Sequence, residues 1–175
     1  MRHDANTSWF SFSTEAVTDF AVFSFRGREA LHEPYRFTVD LVHRSPDLDI
    51  RSLLGKPACL AITDRSGERR WVHGLVQAMD QLETAHSFTR YRCVLVPRLW
   101  FLGLAVNNRI FQNLSVVEIL GQILRDQGFT DDDMAFFLSG SYETREYCTQ
   151  YGETDLHCIS RLCEEEGLFF YFEHG

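Results

Sequence analysis

The alternation of apolar and polar positions predicts a succession of β-strands over residues 1–110. The clearest strand is Tyr35-Arg36-Phe37-Thr38-Val39-Asp40-Leu41, in which every second residue is apolar. A period of two places these apolar residues on one face, which is typical of an antiparallel sheet with one buried side. Further strands are predicted at residues 20–25, 59–63, 70–77 and 88–96.

Turn residues and one short helical pattern separate these strands. We expect Arg26-Gly27-Arg28 to end the strand at 20–25, and Asp64-Arg65-Ser66-Gly67 to form a hairpin turn. Residues 49–54 have a helical pattern that ends at Gly55. Five or six short strands with one small helix are typical of a sandwich or a small antiparallel β-barrel. We favour the barrel, because closure of a sheet removes its exposed edges.

The chain changes character after residue 110, where helical patterns appear. Ser115 and Glu118 form a capping box that predicts the start of a helix, and Gly128 is expected to end it. The apolar stripe of this helix consists of Val116, Ile119, Leu120, Ile123 and Leu124.

A second helix and an aromatic strand are predicted near residue 175. Thr154 or Asp155 caps this helix, and Gly167 ends it. Its buried stripe consists of Leu156, Ile159, Leu162 and Cys163. The aromatic run at 168–172 is predicted to be a strand.

These patterns predict a mainly β fold with α+β character, made of two domains. Residues 1–110 would form the β-barrel, and residues 111–175 would form an α/β domain. Two helices and one strand provide only a thin core, so we expect the α/β domain to be incomplete. A neighbouring chain or further sequence would then complete it.

Charge and hydropathy disfavour two functions. The 17 basic residues are scattered among 25 acidic ones, for a net charge of −8, so no cationic stripe is present to bind nucleic acid. No apolar stretch approaches the ~18 residues of a membrane-spanning helix. Residues 1–6 lack the apolar segment of a signal peptide, so we expect the protein to be made in the cytoplasm.

The candidate chemical groups do not match the spacing of known catalytic or metal sites. Five cysteines, irregularly spaced within apolar runs, favour buried and reduced thiols over disulfides. His157, Cys158 and Cys163, with Cys148 upstream, are zinc ligand types, but the paired spacing of structural zinc sites is absent. Glu164-Glu165-Glu166, at a helix end, would fan out over a solvated or salt-bridged surface rather than form a catalytic carboxylate pair. A basic partner such as Arg161 or a neighbouring chain would offset their charge, because the helix dipole is negative at that end.

We therefore predict that the protein is not an enzyme and has no catalytic residue, metal or cofactor. Nucleotide-binding and metalloprotease motifs are absent from the sequence. The alternative from another functional class is a hydrolase that uses a cysteine or a carboxylate, with Cys158 and Glu165 as the residues to test.

The most specific motif spans residues 145–174. It reads Arg145-Glu146-Tyr147-Cys148-Thr149-Gln150-Tyr151-Gly152-Glu153-Thr154-Asp155-Leu156, followed by Arg161-Leu162-Cys163-Glu164-Glu165-Glu166-Gly167-Leu168-Phe169-Phe170-Tyr171-Phe172-Glu173-His174. This motif closely resembles that of the VgrG family, the spike proteins of bacterial type VI secretion systems. Shorter matches in the family's order include Pro34-Tyr35-Arg36-Phe37, Leu53-Leu54-Gly55-Lys56-Pro57, His73-Gly74 and Pro97-Arg98-Leu99-Trp100.

The resemblance implies a structural role. The chain would be the trimeric, phage-baseplate-hub-like base of the spike, would sit on the Hcp tube and would support the delivery of effectors. Its implied partners are further copies of itself, the Hcp tube, baseplate proteins, and effectors or adaptors. The type VI machine would export it without a signal peptide. The alternative with the same general shape is the hub of a contractile phage tail or phage-like particle.

The resemblance also indicates either a fragment or a truncated member of the family, without the needle that follows in full-length VgrG proteins. Acidic and apolar surfaces of the motif would make the contacts between subunits. The candidate assembly residues are Arg145, Glu146, Tyr147, Gln150, Tyr151, Glu153, Thr154, Asp155, Glu164, Glu165, Glu166 and Gly167.

Overall fold

The computed structural model describes residues 9–17 and 19–174, and the chain divides into two compact units. The first unit comprises residues 1–98 and 172–175, and the second comprises residues 99–171. The division precedes residue 110, our predicted domain boundary, because residue 110 lies inside a strand of the second unit.

The first unit is a six-stranded antiparallel sheet. Its strands are β1 (Phe10–Thr14), β2 (Ala21–Ala30), β3 (Glu33–His43), β4 (Pro57–Thr63), β5 (Arg69–Thr84) and β6 (Thr89–Val96). They are ordered β1-β4-β5-β6-β3-β2. β1 and β2 end this order, yet the rings of Phe10 and Phe25 lie 5.2 Å apart, so the sheet curls into a half-barrel. The predicted mainly β fold is confirmed.

The concave side of the curled sheet holds the core of the first unit. The alternation that predicted β3 is confirmed, because Tyr35, Phe37, Val39 and Leu41 are all buried. Burial of a side chain of this size contributes about 1.5–3 kcal/mol to folding. Tyr91 is also fully buried, and its hydroxyl donates a hydrogen bond to the Ser45 carbonyl at 2.9 Å. The buried Tyr91 hydroxyl therefore has the hydrogen-bond partner that a buried polar group requires.

The turn predicted at residues 26–28 is wrong. β2 continues through these residues, and the chain turns afterwards at Leu31 and His32. Gly27 lies opposite Phe37 in the β2–β3 ladder, where a Cβ atom would overlap the Phe37 ring. Gly27 therefore provides space for a core aromatic side chain and does not turn the chain.

Two other local predictions in the first unit are confirmed. Residues 64–67 join β4 to β5, and Oδ1 of Asp64 accepts a hydrogen bond from the Ser66 amide at 2.8 Å. The helical pattern at 49–54 forms a single 3-10 turn, Ile50–Leu53, which Asp49 caps.

The second unit contains two helices and a two-stranded antiparallel sheet. Its elements are β7 (Val106–Leu114), α1 (Val116–Asp126), β8 (Arg145–Thr154) and α2 (Asp155–Glu165), preceded by a 3-10 helix at Arg98–Gly103. α1 packs against α2 and β7, and α2 packs against β8. Neither β7 nor β8 was predicted. None of the helices in the described ranges is long and apolar enough to cross a membrane.

Both predicted helices are confirmed, together with their caps. The Ser115 amide donates to Oε2 of Glu118 at 2.7 Å, and the Glu118 amide donates to Oγ of Ser115 at 3.4 Å. Oγ1 of Thr154 accepts a hydrogen bond from the His157 amide at 3.1 Å. Each cap satisfies amides that the first turn of a helix leaves without partners.

The strand predicted at 168–172 is wrong. These residues belong to neither of the two sheets formed by the described residues. Half-buried and exposed side chains nevertheless alternate from Leu168 to His174. The sequence alternation therefore reports burial along an extended segment, without strand pairing.

The predicted burial of the cysteines is confirmed at four of the five positions, and Cys59 is only partly buried. All five cysteines lie in the described ranges, and none forms a disulfide. Four of them are buried, namely Cys93, Cys148, Cys158 and Cys163. Burial raises the pKa of Cys93 to about 12, so this thiol is protonated at neutral pH.

Candidate functional site

The two-stranded sheet of the second unit has an inner face and an outer face, because side chains alternate along each strand. In the ladder, Arg109 lies opposite Gln150 and Phe111 lies opposite Cys148. Phe111, Cys148 and Gln150 are buried, so this is the inner face. The family motif therefore contributes both to the inner face, through β8, and to the helix that follows.

Asp155, the first residue of α2, is a buried carboxylate with only 2% of its surface exposed. Its Oδ1 accepts hydrogen bonds from Nδ2 of Asn107 at 2.9 Å and Nε2 of Gln150 at 2.7 Å. Its Oδ2 accepts from Nη2 of Arg109 at 3.2 Å and Nε2 of Gln127 at 2.7 Å. The donors come from β7, β8 and the C-cap of α1, so one carboxylate joins all four elements of the second unit.

The surroundings of Asp155 suit a charged group. A buried charge is tolerated when it is paired and its hydrogen-bonding capacity is filled. Arg109 supplies the opposite charge, and its Nη1 also lies 3.8 Å from Oδ2 of Asp126. The position of Asp155 in the first turn of α2 is favourable because the helix dipole is positive there.

A second network of charged side chains joins β8 to the end of α2. Arg161 donates to Oε2 of Glu153 at 3.2 Å and to Oε1 of Glu165 at 2.9 Å. Arg145 donates to Oε2 of Glu165 at 2.7 Å and to Oε1 of Glu166 at 2.6 Å. Glu165 contacts both arginines, so the five side chains form one continuous set of ion pairs. The expectation that a basic residue such as Arg161 offsets these surface glutamates is confirmed for Glu165, which stays exposed, and Arg145 adds a second cation that also contacts Glu166.

The ion pairs shift the pKa values of Glu153, Glu165 and Arg145. The hydrogen bond from Arg161 lowers the pKa of Glu153. The hydrogen bond from Arg145 lowers the pKa of Glu165, and the same contact raises the pKa of Arg145. Glu153, Glu165 and Arg145 therefore stay charged over a wider pH range than in the unfolded chain.

The lowered carboxyl pKa values give an expected dependence of stability on pH. A carboxyl whose pKa is lower in the folded state stabilises the fold above its unfolded pKa, and this contribution is lost as pH falls through the folded value. We expect the free energy of unfolding to decrease as pH falls below the ordinary glutamate pKa of 4.5. Urea denaturation at a series of pH values would measure this decrease.

The matched control for the pH experiment is the double variant Arg145→Gln/Arg161→Gln. Removal of both cations returns Glu153 and Glu165 toward ordinary pKa values, so the variant should lose less stability on acidification than the wild type. If acidification lowers the free energy of unfolding equally in the two proteins, these ion pairs do not cause the pH dependence.

The remaining candidate residues fall into two groups. Thr154 caps α2, and Gly167, with a φ of 68°, follows its end. The exposed candidates are Glu146, Tyr147, Tyr151 and Glu164. The structure thus brings most of the motif together as internal contacts of the second unit, and leaves two tyrosines on the outer face of the sheet.

Sequence reasoning missed three partners of Asp155, namely Asn107, Arg109 and Gln127. Asn107 and Arg109 lie two residues apart on β7, where a period of two would place them on one face with Phe111. That pattern was hidden because two of the three inward residues are polar. Gln127 has no local signal, since its role depends on the distant Asp155.

The geometry argues against the hydrolase alternative at the residues suggested for it. Burial raises the pKa of Cys158 to about 12, and a thiol that remains protonated is a poor nucleophile. Glu165 is held as a carboxylate by two arginines, so it is not suited to donate a proton. Within residues 9–17 and 19–174, no group of three or more His, Cys, Asp or Glu side chains could hold a metal ion.

Comparison with known proteins gives a family match and similar relatives. Residues 28–175 match the model of the phage tail baseplate hub (GPD) family. The chain is 46% identical over 171 residues to the type VI secretion system spike protein VgrG5 of Pseudomonas aeruginosa, which covers 97% of the chain. The match spans 21% of the length of VgrG5, so the chain corresponds to about a fifth of that relative. The resemblance indicated by the motif is confirmed.

Two solved structures share the fold. The E. coli c3393 protein, a type VI secretion component with structural similarity to T4 bacteriophage tail proteins gp27 and gp5, matches with a TM-score of 0.87 and 29% identity. The match covers 94% of this chain and 45% of c3393. The 43 kDa tail protein of prophage MuSo2 from Shewanella oneidensis matches with a TM-score of 0.60 and 15% identity, over 90% of this chain and 48% of that protein. The second likeness concerns the fold alone.

Proposed function

Since the chain belongs to the phage tail baseplate hub family, we propose that it forms part of the base of a type VI secretion spike. The observation that carries this proposal is the 46% identity to the spike protein VgrG5 over 97% of the chain. The identity to the prophage tail protein is only 15%, which favours the type VI role over the phage-tail alternative.

The proposed role is mechanical. In the first unit, a curled sheet encloses an aromatic and aliphatic core. In the second unit, Asp155 and the arginine network fasten α2 to both strands. A buried charge that is paired and hydrogen-bonded from several elements favours one arrangement of those elements, so the second unit is suited to transmit force without rearranging. This role requires no chemical step by the chain.

The proposed partners follow from the same role. Three copies of the chain would form a ring that contacts the Hcp tube and the baseplate proteins, and effectors or adaptors would travel with it. Assembly would take place in the cytoplasm, and the type VI machine would export the spike. Symmetric closure of such a ring requires a surface on each copy that recognises its neighbour.

A binding measurement tests the proposed function. We expect the purified protein to bind purified Hcp tube protein immobilised on a biosensor, and to show no binding to the tube protein of a contractile phage as a matched control. Absence of Hcp binding, with preferential binding to the phage tube protein, would contradict the type VI assignment in favour of the phage one.

A further inference from the structure

Residues 172–174, which we call the strap, belong to the first unit, although they follow the whole second unit in the chain. Phe172 packs against the core of the first unit, and its ring lies edge-on to that of Tyr35, with centroids 5.1 Å apart. The His174 ring lies 4.9 Å from the same tyrosine ring, and its side chain is only 9% exposed. The strap is therefore seated on β3 through two rings.

The strap contacts a part of β5 that has a neighbouring strand on one side only. β4 pairs with β5 over residues 69–75, whereas β6 pairs with β5 only from Leu75 to Thr84. Among the strands of the described residues, none pairs with the second side of residues 69–74. An unpaired strand edge presents N–H and C=O groups that can recruit another strand. The backbone groups on this free edge of β5 therefore need other partners.

Side chains supply these partners at His73. The His73 amide donates to Nδ1 of His174 at 3.3 Å, and the His73 carbonyl accepts a hydrogen bond from the Tyr35 hydroxyl. Burial raises the pKa of Tyr35, so its hydroxyl stays protonated and can donate. Gly74 leaves room for this contact, because a Cβ there would lie 3.0 Å from the hydroxyl oxygen and 2.7 Å from the Val96 carbonyl oxygen. Both backbone groups of His73 are thus satisfied without a strand.

The contacts of His174 define the tautomer of its ring. A backbone amide can only donate, so Nδ1 of His174 accepts and the ring proton lies on Nε2. Nε2 donates to Oε1 of Glu29 on β2 at 2.9 Å. Arg70 of β5 contacts the other oxygen of the same carboxylate and holds it in place. His174 therefore joins β2 to the free edge of β5, and it uses a different ring nitrogen for each.

We propose that the strap closes the free edge of β5, and that Nδ1 of His174 is the group that holds it closed. Tyr35, His73-Gly74 and the strap come from three separate segments of the sequence motif, and the fold brings them together at this edge. Release of the strap would free the His73 amide to pair with another extended chain. Because the strap follows residues 99–171, the edge stays open until the second unit has been synthesised. This inference goes beyond the proposed role in the spike and does not depend on it.

Amide hydrogen exchange followed by NMR tests the strap at a single hydrogen bond. His174→Ala removes the acceptor, so the His73 amide should exchange at least about tenfold faster than in the wild type. His174→Asn keeps an acceptor oxygen near the position of Nδ1, so exchange should stay within about threefold of the wild-type rate. His174→Gln keeps a donor for Glu29 near the position of Nε2 but no acceptor for the amide, so exchange should be as fast as in the alanine variant.

Two controls separate opening of the edge from a general loss of stability. The amide of Val39, in the core of the same unit, should change its exchange rate by less than about threefold in every variant, because the edge opens locally. His157→Ala removes an imidazole that is 68% exposed in the second unit and should leave both rates unchanged. An unchanged His73 rate in His174→Ala, or an equal rise at Val39, would overturn the inference. Rescue by glutamine and not by asparagine would overturn the role of Nδ1.

Discussion

Replacement of Asp155 by alanine is expected to lower the free energy of unfolding by about 3–5 kcal/mol, the range observed when one member of a buried charged pair is removed. The variant leaves Arg109 without its buried partner, and it removes the acceptor of Asn107, Gln127 and Gln150. Each buried donor left without an acceptor costs about 1–3 kcal/mol. Urea denaturation followed by far-UV circular dichroism would measure the loss.

Two variants control the Asp155 experiment. Asp132→Ala removes an exposed carboxylate of the same unit, and it should change the free energy of unfolding by less than about 0.5 kcal/mol. Asp155→Asn keeps the shape but places an NH2 donor against existing donors, so it should retain most of the loss. A decrease in the free energy of unfolding of less than about 1 kcal/mol for Asp155→Ala would contradict the conclusion that this carboxylate holds the four elements together.

Replacement of Gly27 by alanine is expected to lower the free energy of unfolding by about 1–3 kcal/mol, because overpacking of a filled core forces side chains from their preferred rotamers. The new methyl group would overlap Cδ1, Cε1 and Cζ of Phe37. Phe37 is buried and packs edge-on against Tyr35, with ring centroids 6.1 Å apart, so the ring cannot move freely. Thermal or urea denaturation would report the change.

Gly140→Ala is the matched control for Gly27→Ala. A Cβ at Gly140 would meet no atom within 4 Å, so this variant should change the free energy of unfolding by less than about 0.5 kcal/mol. Equal stability of the two alanine variants would show that the contact between Gly27 and Phe37 does not limit the packing of the core.

The features that could be predicted from the sequence are those whose cause is local. The reciprocal hydrogen bonds of Ser115 and Glu118 connect residues three positions apart, so the motif itself contains both partners. The alternation in β3 is similarly self-contained, because a strand with one buried face needs a period of two. The fold class and both helices were accessible for this reason.

The features that could not be predicted depend on distant partners. Gly27 resembles a turn residue until its neighbour across the sheet is known to be Phe37. The aromatic run at 168–172 has strand alternation, but pairing depends on whether another strand lies beside it. β7 was missed because its inner face includes the polar residues Asn107 and Arg109. Their inward position is explained by their hydrogen bonds to the buried Asp155, which lies far away in the sequence.

In the candidate site, likewise, the motif could be recognised from the sequence, but the contacts that its residues make could not. The motif identified the segment that organises the second unit, and most of its polar residues prove to be internal. Asp155 joins four elements, and Arg145 and Arg161 hold the glutamates that we had assigned to subunit contacts. Spacing along the chain could not reveal this, because the partners of these side chains lie on separate elements.

Electron microscopy of preassembled Hcp tubes mixed with the purified protein tests the central claim most directly. We expect the protein to bind at a tube end and not along the tube wall, because the base of a spike caps the tube. Tubes without added protein and tubes mixed with an unrelated acidic protein serve as controls. Decoration of the wall alone, or tube ends that stay bare at saturating protein, would contradict the assignment of this chain to the base of a type VI spike.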